Sequence, residues 1–347
     1  MPMPESQTTL SAHAQRPSGV ARLRAALDAH PHYFLLALVA AIGLVIMPWH
    51  VWLSLTVAGL AMGLILFVVS SGMTLIFGLM GVLNLAHGAF ITVGAYVGGT
   101  AFLMLSGWGP LAAVSQALLI FPAALATLAV AGVLGFVFER VIVKPVYDDH
   151  LRQILVTVGG AIVITQLIIV FWGAHEIPLP RPDILRGAFV VGGVAFEKYR
   201  LFAVGAGLAV YWGMLAVIQY TRVGLLIRAG VENGEMVQAL GYRIKLLFIA
   251  VFAVGSALGA FGGVLWGFYE ELIHVELGQQ LLVDVIIVII MGGLGSITGC
   301  FYSALVVGLL TNYMGFVAPT FSEFSSIVLM VLVLMWRPQG LIPVVKV

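Results

Sequence analysis

Long apolar runs separated by short polar segments fill the chain from Tyr33 onward. A helix needs about 20 apolar residues to cross the hydrocarbon core of a bilayer. Ten segments approach that length: 33–49, 51–77, 88–106, 111–138, 154–172, 201–219, 246–268, 281–291, 299–318 and 323–336. The second is over-long, which predicts a bend. The eighth is too short for a full crossing and runs into Met-Gly-Gly-Leu-Gly-Ser-Ile-Thr-Gly at 291–299. The pattern predicts an all-α polytopic transmembrane helix bundle of about eight to ten spans. Two polar stretches interrupt it. Segment 173–200 carries Pro178, Pro180 and Pro182 and then a possible hairpin at 190–194, whereas 220–245 reads as a short helix or helix pair on the membrane face.

Composition agrees with lipid as the solvent. The chain is 61% hydrophobic and 9% charged, with mean hydropathy +1.11, against about 25% charged for an ordinary soluble domain. The net charge of +1 argues against nucleic acid as a partner. The single cysteine, Cys300, excludes a disulfide framework or a CxxC metal site. The first 30 residues are polar, and the run after them continues into a second one, so a retained first span is expected rather than a cleaved signal.

Lysine and arginine set the orientation. With the N-terminus inside and ten alternating spans, the inner segments 1–30, 139–152, 220–245 and 337–347 hold twelve Lys or Arg residues and the outer loops hold four. This predicts both termini in the cytoplasm. It divides the chain into a cytoplasmic tail at 1–30 and a membrane domain at 31–343, with 220–245 facing the cytoplasm.

The most informative stretch is Gly-Val-Leu-Asn-Leu-Ala-His-Gly at 81–88. It sets the polar Asn84 and His87 in a broken apolar run, toward the cytoplasmic side of this topology. Broken backbone near bilayer depth is tolerated where it is buried in protein or lines a cavity. The two residues either line a path or tie helices together. A second glycine-rich break, with Gly292 and Gly295, lies at 291–299, and paired broken helices point to a central transport site. Gly255, Gly259, Gly263 and Gly267 recur every four residues, a ridge on which another helix backbone can lie close. Asp284 is either a functional intramembrane carboxylate or, in the first turn of a span starting at 281, a charge at a helix N-terminus, and the second reading is preferred. Glu270, Glu271, His274 and Glu276 form an acidic outer loop, either a docking face or a solvated one. There is no GxxxxGK[ST] phosphate loop, no GxSxG elbow and no HExxH, so neither ATP binding by a phosphate loop, hydrolysis nor a metal site is indicated.

These residues resemble a known family. Ser71-Gly72-Met73-Thr74-Leu75-Ile76-Phe77-Gly78, the 81–88 run and Gly94-Ala95-Tyr96 look like the signature of branched-chain amino acid ABC transporter permeases. In family order follow Glu139-Arg140 with Lys144-Pro145, Thr221-Arg222-Val223-Gly224 with Arg228-Ala229, and Ala239-Leu240-Gly241. Gly292-Gly293-Leu294-Gly295-Ser296 and Trp336-Arg337-Pro338-Gln339-Gly340-Leu341 complete the set. Together they cover roughly residues 50–343, and the 81–88 form is nearer the LivH type than its LivM partner type.

The resemblance implies a non-enzymatic permease subunit of an ATP-driven importer in the bacterial inner membrane. It implies a second homologous permease, two cytoplasmic ABC ATPases and a periplasmic substrate-binding protein as partners. No cofactor would be bound by this chain, and ATP would sit on the partner subunits. The 220–245 segment matches the ATPase-docking loop, with Arg222, Gly224, Arg228, Ala239 and Gly241 as its candidate residues. Ser71, Asn84, His87, Gly88, Gly292 and Gly295 are candidates for the translocation path or for support of the broken helices. The same family includes urea and short-chain amide permeases, and a rival class is an autonomous secondary transporter or channel.

Overall fold

The computed structural model describes residues 30–81, 83–108, 115–147 and 149–343. The tail expected at 1–30 lies outside the described residues, apart from His30. The apolar runs form helices α1 (Pro31–Ile46), α2 (Trp49–Met80), α3 (His87–Gly107), α4 (Gln116–Phe138), α5 (His150–Trp172) and α6 (Lys198–Tyr220). They continue with α7 (Arg222–Ala239), α8 (Ile244–Glu270), α9 (Leu277–Gly292), α10 (Ile297–Val317) and α11 (Ser322–Trp336). Among the described residues, eight segments are long and apolar enough to cross a membrane, while α1 and α9 are shorter apolar helices of 16 residues each. Each apolar run read from the sequence coincides with one of these ten helices, and α7 is the polar segment between α6 and α8. The chain is a multi-pass helical membrane protein.

Local chemistry sets several boundaries. Pro48 separates α1 from α2. Helix α4 passes into a π-turn at Glu139–Val143 and ends at Lys144-Pro145, where proline has no N–H to continue the ladder. Helix α9 begins at Leu277, four residues before the span expected at 281. Asp284 is therefore about two turns inside the helix, beside Ser326 and Glu323 of α11, and is not a first-turn charge.

Helices α2, α3, α8 and α10 are half or more buried, whereas α5, α6 and α11 turn most of their surface outward. Lipid tails are as apolar as leucine, so helix association here depends on close packing. Gly72 of α2 lies against the Gly255 backbone of α8, and Gly94 of α3 against the backbone of Ala260. Gly263 abuts the Ile91 carbonyl, and Gly59 and Gly63 of α2 receive the α10 backbone at Leu309 and Ala304. A methyl group at any of these positions would overlap backbone atoms. Gly267 departs from the ridge: its neighbours Ile273, Leu179 and Ala95 stand at ordinary contact distance, because at this level α8 faces loop side chains instead of a helix backbone.

Among the described residues the bundle is all-α apart from four short strands on the side that the charge pattern assigns to the exterior. β1 (Ile177–Pro178) pairs antiparallel with β4 (Leu272–Ile273). β2 (Ala188–Val191) and β3 (Val194–Glu197) form the hairpin, turned by Gly192 and Gly193 at φ 60° and 81°. Arg181 clamps this cap to the end of α8. It donates to the carbonyls of Phe268 (3.0 Å) and Tyr269 (2.7 Å) and pairs with Glu197 and Glu271, each at 3.3 Å. A cation at a helix C-terminus is favoured by the exposed carbonyls and the helix dipole. Part of the acidic loop is used within the cap: Glu271 is bound to Arg181, and His274 lies 4.0 Å from Glu270, whereas Glu276 is exposed.

Arg181→Ala leaves the α8 carbonyls and Glu271 without this cation. Losing hydrogen bonds to a charged group costs about 1.5–3 kcal/mol, and the carboxylates are partly exposed and so screened. The expected result is faster proteolysis within 173–200 in outward-facing membranes and a lower melting temperature. Unchanged protection would contradict the clamp.

Candidate functional site

The first break begins where α2 ends. Gly81, at φ 68°, caps the helix and its N–H bonds to the Phe77 carbonyl at 2.8 Å. The chain then turns on Asn84. Its side-chain oxygen accepts the Ala86 N–H at 3.1 Å, and its carbonyl accepts the His87 N–H at 3.0 Å. Two donors at the start of α3 are thus bonded within the loop itself. Asn84 and His87 are fully buried.

His87 ties this start to the bundle. Its Nε2 lies 2.9 Å from the Val69 carbonyl of α2. A carbonyl only accepts, so Nε2 carries the hydrogen. The imidazole fills the space a side chain at Gly259 would occupy. Gly259 is the sixteenth of the 27 residues of α8, so α3 begins near the middle of its long neighbour. The sequence places 81–88 toward the cytoplasmic side. The structure has the loop climb back from the end of α2, so that His87 sits near mid-depth.

A second helix starts at the same level. Gly278, in the first turn of α9, packs backbone to backbone against Gly88. Its N–H donates to Thr92 Oγ1 at 3.0 Å, and that hydroxyl donates to the Gly88 carbonyl at 3.2 Å. Nearer the outer cap, Ile273 packs on Gly99. The chain therefore drops from the level of Gly99 to that of Gly88 before α9 begins, which is why α9 is short. Two helix N-termini meet near the middle of the bundle, and each carries partial positive charge.

Beside this meeting point α3, α5 and α9 flank a half-open cavity of about 300 Å³, with Val158, Ile162 and Gln166 of α5 and Glu276 and Gln279 at the start of α9 exposed. Thr92, Thr165, Gln166, Glu276 and Gln279 supply polar groups, and Leu85, Val158, Ile162 and Leu282 supply aliphatic walls. The arrangement suits a small amphiphile: helix N-termini and amides for an anionic end, a carboxylate for a cationic one, and branched walls for an apolar body.

The second break is closed differently. Gly293 and Gly295 take φ of 103° and 81°, and Gly292 packs on Gly299. The carbonyls of Met291 and Gly292 accept the N–H groups of Leu341 (2.9 Å) and Ile342 (3.0 Å), so the C-terminal segment plugs the end of α9. Ser296 caps α10 through the Gly299 N–H at 3.1 Å. Gly78 of α2 abuts Gly295, which brings the end of α2 against the second break.

Of the six candidate path residues, Gly88 alone lines the cavity. Asn84 and His87 lie behind it as backbone supports. Ser71 is buried and bonded to the Val68 carbonyl of its own helix at 2.7 Å, so it turns back on α2 and is not part of this cavity's lining. Gly292 and Gly295 belong to the plugged break. Thr92, Gln279 and Gly278 escaped the sequence reading, and Glu276 was read there only as part of the acidic outer loop; the one available signal was the shortness of span 281–291.

The polar segment is a helix with a kink. The Thr221 hydroxyl caps α7 by accepting the Gly224 N–H at 3.1 Å, and Gly224 is crowded by the Val217 and Ile218 carbonyls. Asn233 is non-helical, and its side chain restarts the helix through the Met236 N–H at 2.9 Å. Ile227 holds α7 to Leu79 and Val251. Arg222, Arg228 and Ala239 are exposed, and Gly241, at φ 87°, turns the chain toward α8.

The family model described as "Branched-chain amino acid transport system / permease component" matches residues 55–336. The high-affinity branched-chain amino acid transport system permease protein LivH of Salmonella typhimurium is 25% identical over 294 residues, 82% of this chain and 93% of the relative. BraD of Pseudomonas aeruginosa, named as a permease of the same kind, is 26% identical over 298 residues, 84% and 95% of the two chains. A probable LivM permease of Methanocaldococcus jannaschii is 29% identical over 240 residues, 61% of this chain and 66% of the relative. No solved structure matches.

Gly259→Leu forces a side chain into the space of the imidazole and should break the bond from His87 to Val69. Overpacking of this kind costs about 1–3 kcal/mol. A melting temperature several degrees lower is expected in detergent, and an unchanged one would contradict the packing of α3 on α8.

Proposed function

We propose that this chain, which belongs to the branched-chain amino acid transport system permease family, is the membrane subunit of an ABC importer for branched-chain or related aliphatic amino acids. Its partners in this reading are a second homologous permease, two cytoplasmic ATPases that carry the ATP, and a periplasmic binding protein that delivers the ligand. Its place is the bacterial inner membrane. The chain itself performs no chemistry. Transport activity named for LivH and BraD supports the substrate class.

The observation that carries this reading is the cavity beside Gly88 and Gly278. A zwitterionic amino acid can set its carboxylate toward the two helix N-termini and Gln279, its ammonium toward Glu276, and its branched side chain against Val158, Ile162 and Leu282. Binding there need only be weak, since the binding protein selects the ligand and the path must release it. Aliphatic walls favour leucine-like substrates over urea or short amides.

In the proposed cycle ATP draws the two ATPases together and moves α7, with Arg222, Gly224, Arg228, Ala239 and Gly241 at the docking face. The motion reaches α8 through Ile227 and the turn at Gly241. Helices α2, α3 and α8 then re-pack along their glycine contacts from one access state to the other, each favoured by its own ligands.

Reconstituted with its partners in proteoliposomes, the chain should support ATP-dependent leucine uptake. Thr92→Val with Gln279→Ala removes two polar groups from the cavity. A hydrogen bond to a charged group is worth about 1.5–3 kcal/mol, so uptake at low leucine should fall about tenfold or more while ATPase activity persists. Competition by urea and not leucine, or uptake without ATP, would overturn the reading.

A further inference from the structure

A second cavity, of about 460 Å³, lies where the end of α4 meets the junction of α7 and α8. Arg140 and Lys144 enter it from the exit of α4, and Arg243 and Lys245 from the start of α8. Among the described residues none of these four cations forms a salt bridge. Among the described residues, Glu139 is a carboxylate close to Arg140 and Lys144. It is fully buried, both its oxygens lack a hydrogen-bond partner, and it does not line the cavity. The cavity is thus strongly positive even with Glu139 counted against it.

Gln238, Gly241 and Tyr242 line the side toward α7, and the rest of the wall is apolar. Ile244, Leu246 and Ile249 line it, and Leu246 is exposed. Both pairs of cations stand at the ends of membrane-crossing segments on the side that the charge pattern assigns to the cytoplasm. The site therefore straddles the boundary between headgroups and hydrocarbon. A free anion would use the cations and leave the apolar wall bare. A phospholipid satisfies both, with its phosphate among the guanidinium and ammonium groups and its acyl chain along Ile244, Leu246 and Ile249.

We propose that this cavity binds the phosphate headgroup of an anionic phospholipid. The bound lipid bridges α4 to the turn at Gly241, Tyr242 and Arg243, and so holds the base of α7 against the bundle. Binding does not depend on the transport reading, whereas an effect on coupling between ATPase and uptake does.

The test is native mass spectrometry of the full chain, with phosphatidylglycerol, phosphatidylcholine and inorganic phosphate added in parallel. Phosphatidylglycerol should be retained about tenfold better than phosphatidylcholine. Retention should fall by a similar factor in Arg140→Gln/Lys144→Gln and, separately, in Arg243→Gln/Lys245→Gln. The charge-preserving variant Arg140→Lys/Lys144→Arg/Arg243→Lys/Lys245→Arg should keep it, which separates loss of charge from loss of fold. Equal retention of the two lipids, or unchanged retention in both Gln variants, would overturn the proposal. Displacement of the lipid by millimolar phosphate would identify a free-anion site instead. Loss of the lipid on assembly with the ATPases would identify a protein-docking site. Either result also overturns it.

Discussion

The structure depends on backbone contacts that only glycine permits. Helix α8 meets α2 at Gly72 and Gly255, accepts the His87 imidazole at Gly259 and meets α3 at Gly263. The same rule brings Gly88 against Gly278. In lipid such contacts replace the hydrophobic drive of a soluble core, because separated helices would face surroundings equally apolar. Large side chains pack between the same helices only beside these contacts, as Phe90 does on Phe252 and Phe102 on Phe268. A bundle joined this way can exchange one set of close contacts for another, as an access change requires.

A second constraint follows from the first. Starting helices near mid-depth exposes backbone donors and acceptors that lipid cannot satisfy. The chain meets this with its own groups. Asn84 bonds the turn before α3, Thr92 accepts the Gly278 N–H, and Leu341 and Ile342 bond the carbonyls at the end of α9. The polar residues of the breaks are thus largely structural, and of these Thr92 alone also lines the cavity beside them. In the transport reading this division lets a rigid scaffold carry a weakly selective path.

The helical layout was legible because each crossing needs a long apolar run, and lysine and arginine punctuate those runs. The break at 81–88 was legible because Asn84 and His87 between glycines have no place in a continuous span. The cavity was not. Thr92, Thr165, Gln166 and Gln279 lie on three helices, each an unexceptional polar residue in its own segment, and tertiary packing alone unites them. Gly278 gave no sign in a chain so rich in glycine. Asp284 was misplaced because the hydropathy of 281–291 hides a helix that starts at Leu277. Arg181 looked like one charge in a proline-rich loop, and its role depends on the far end of α8. Ser71 sits in the family-like run, yet its hydroxyl turns back on its own helix.

The central claim is that the cavity at the meeting of α3 and α9 lies on the path of the substrate. Thr165, on the opposite wall from both helix starts, tests it without disturbing either. In the assembled transporter, Thr165→Cys should react with a small water-soluble thiol reagent in one nucleotide state and be shielded in the other. Saturating leucine should slow the reaction, and urea should not. A cysteine that never reacts, or that reacts equally in every state with or without leucine, would contradict the account.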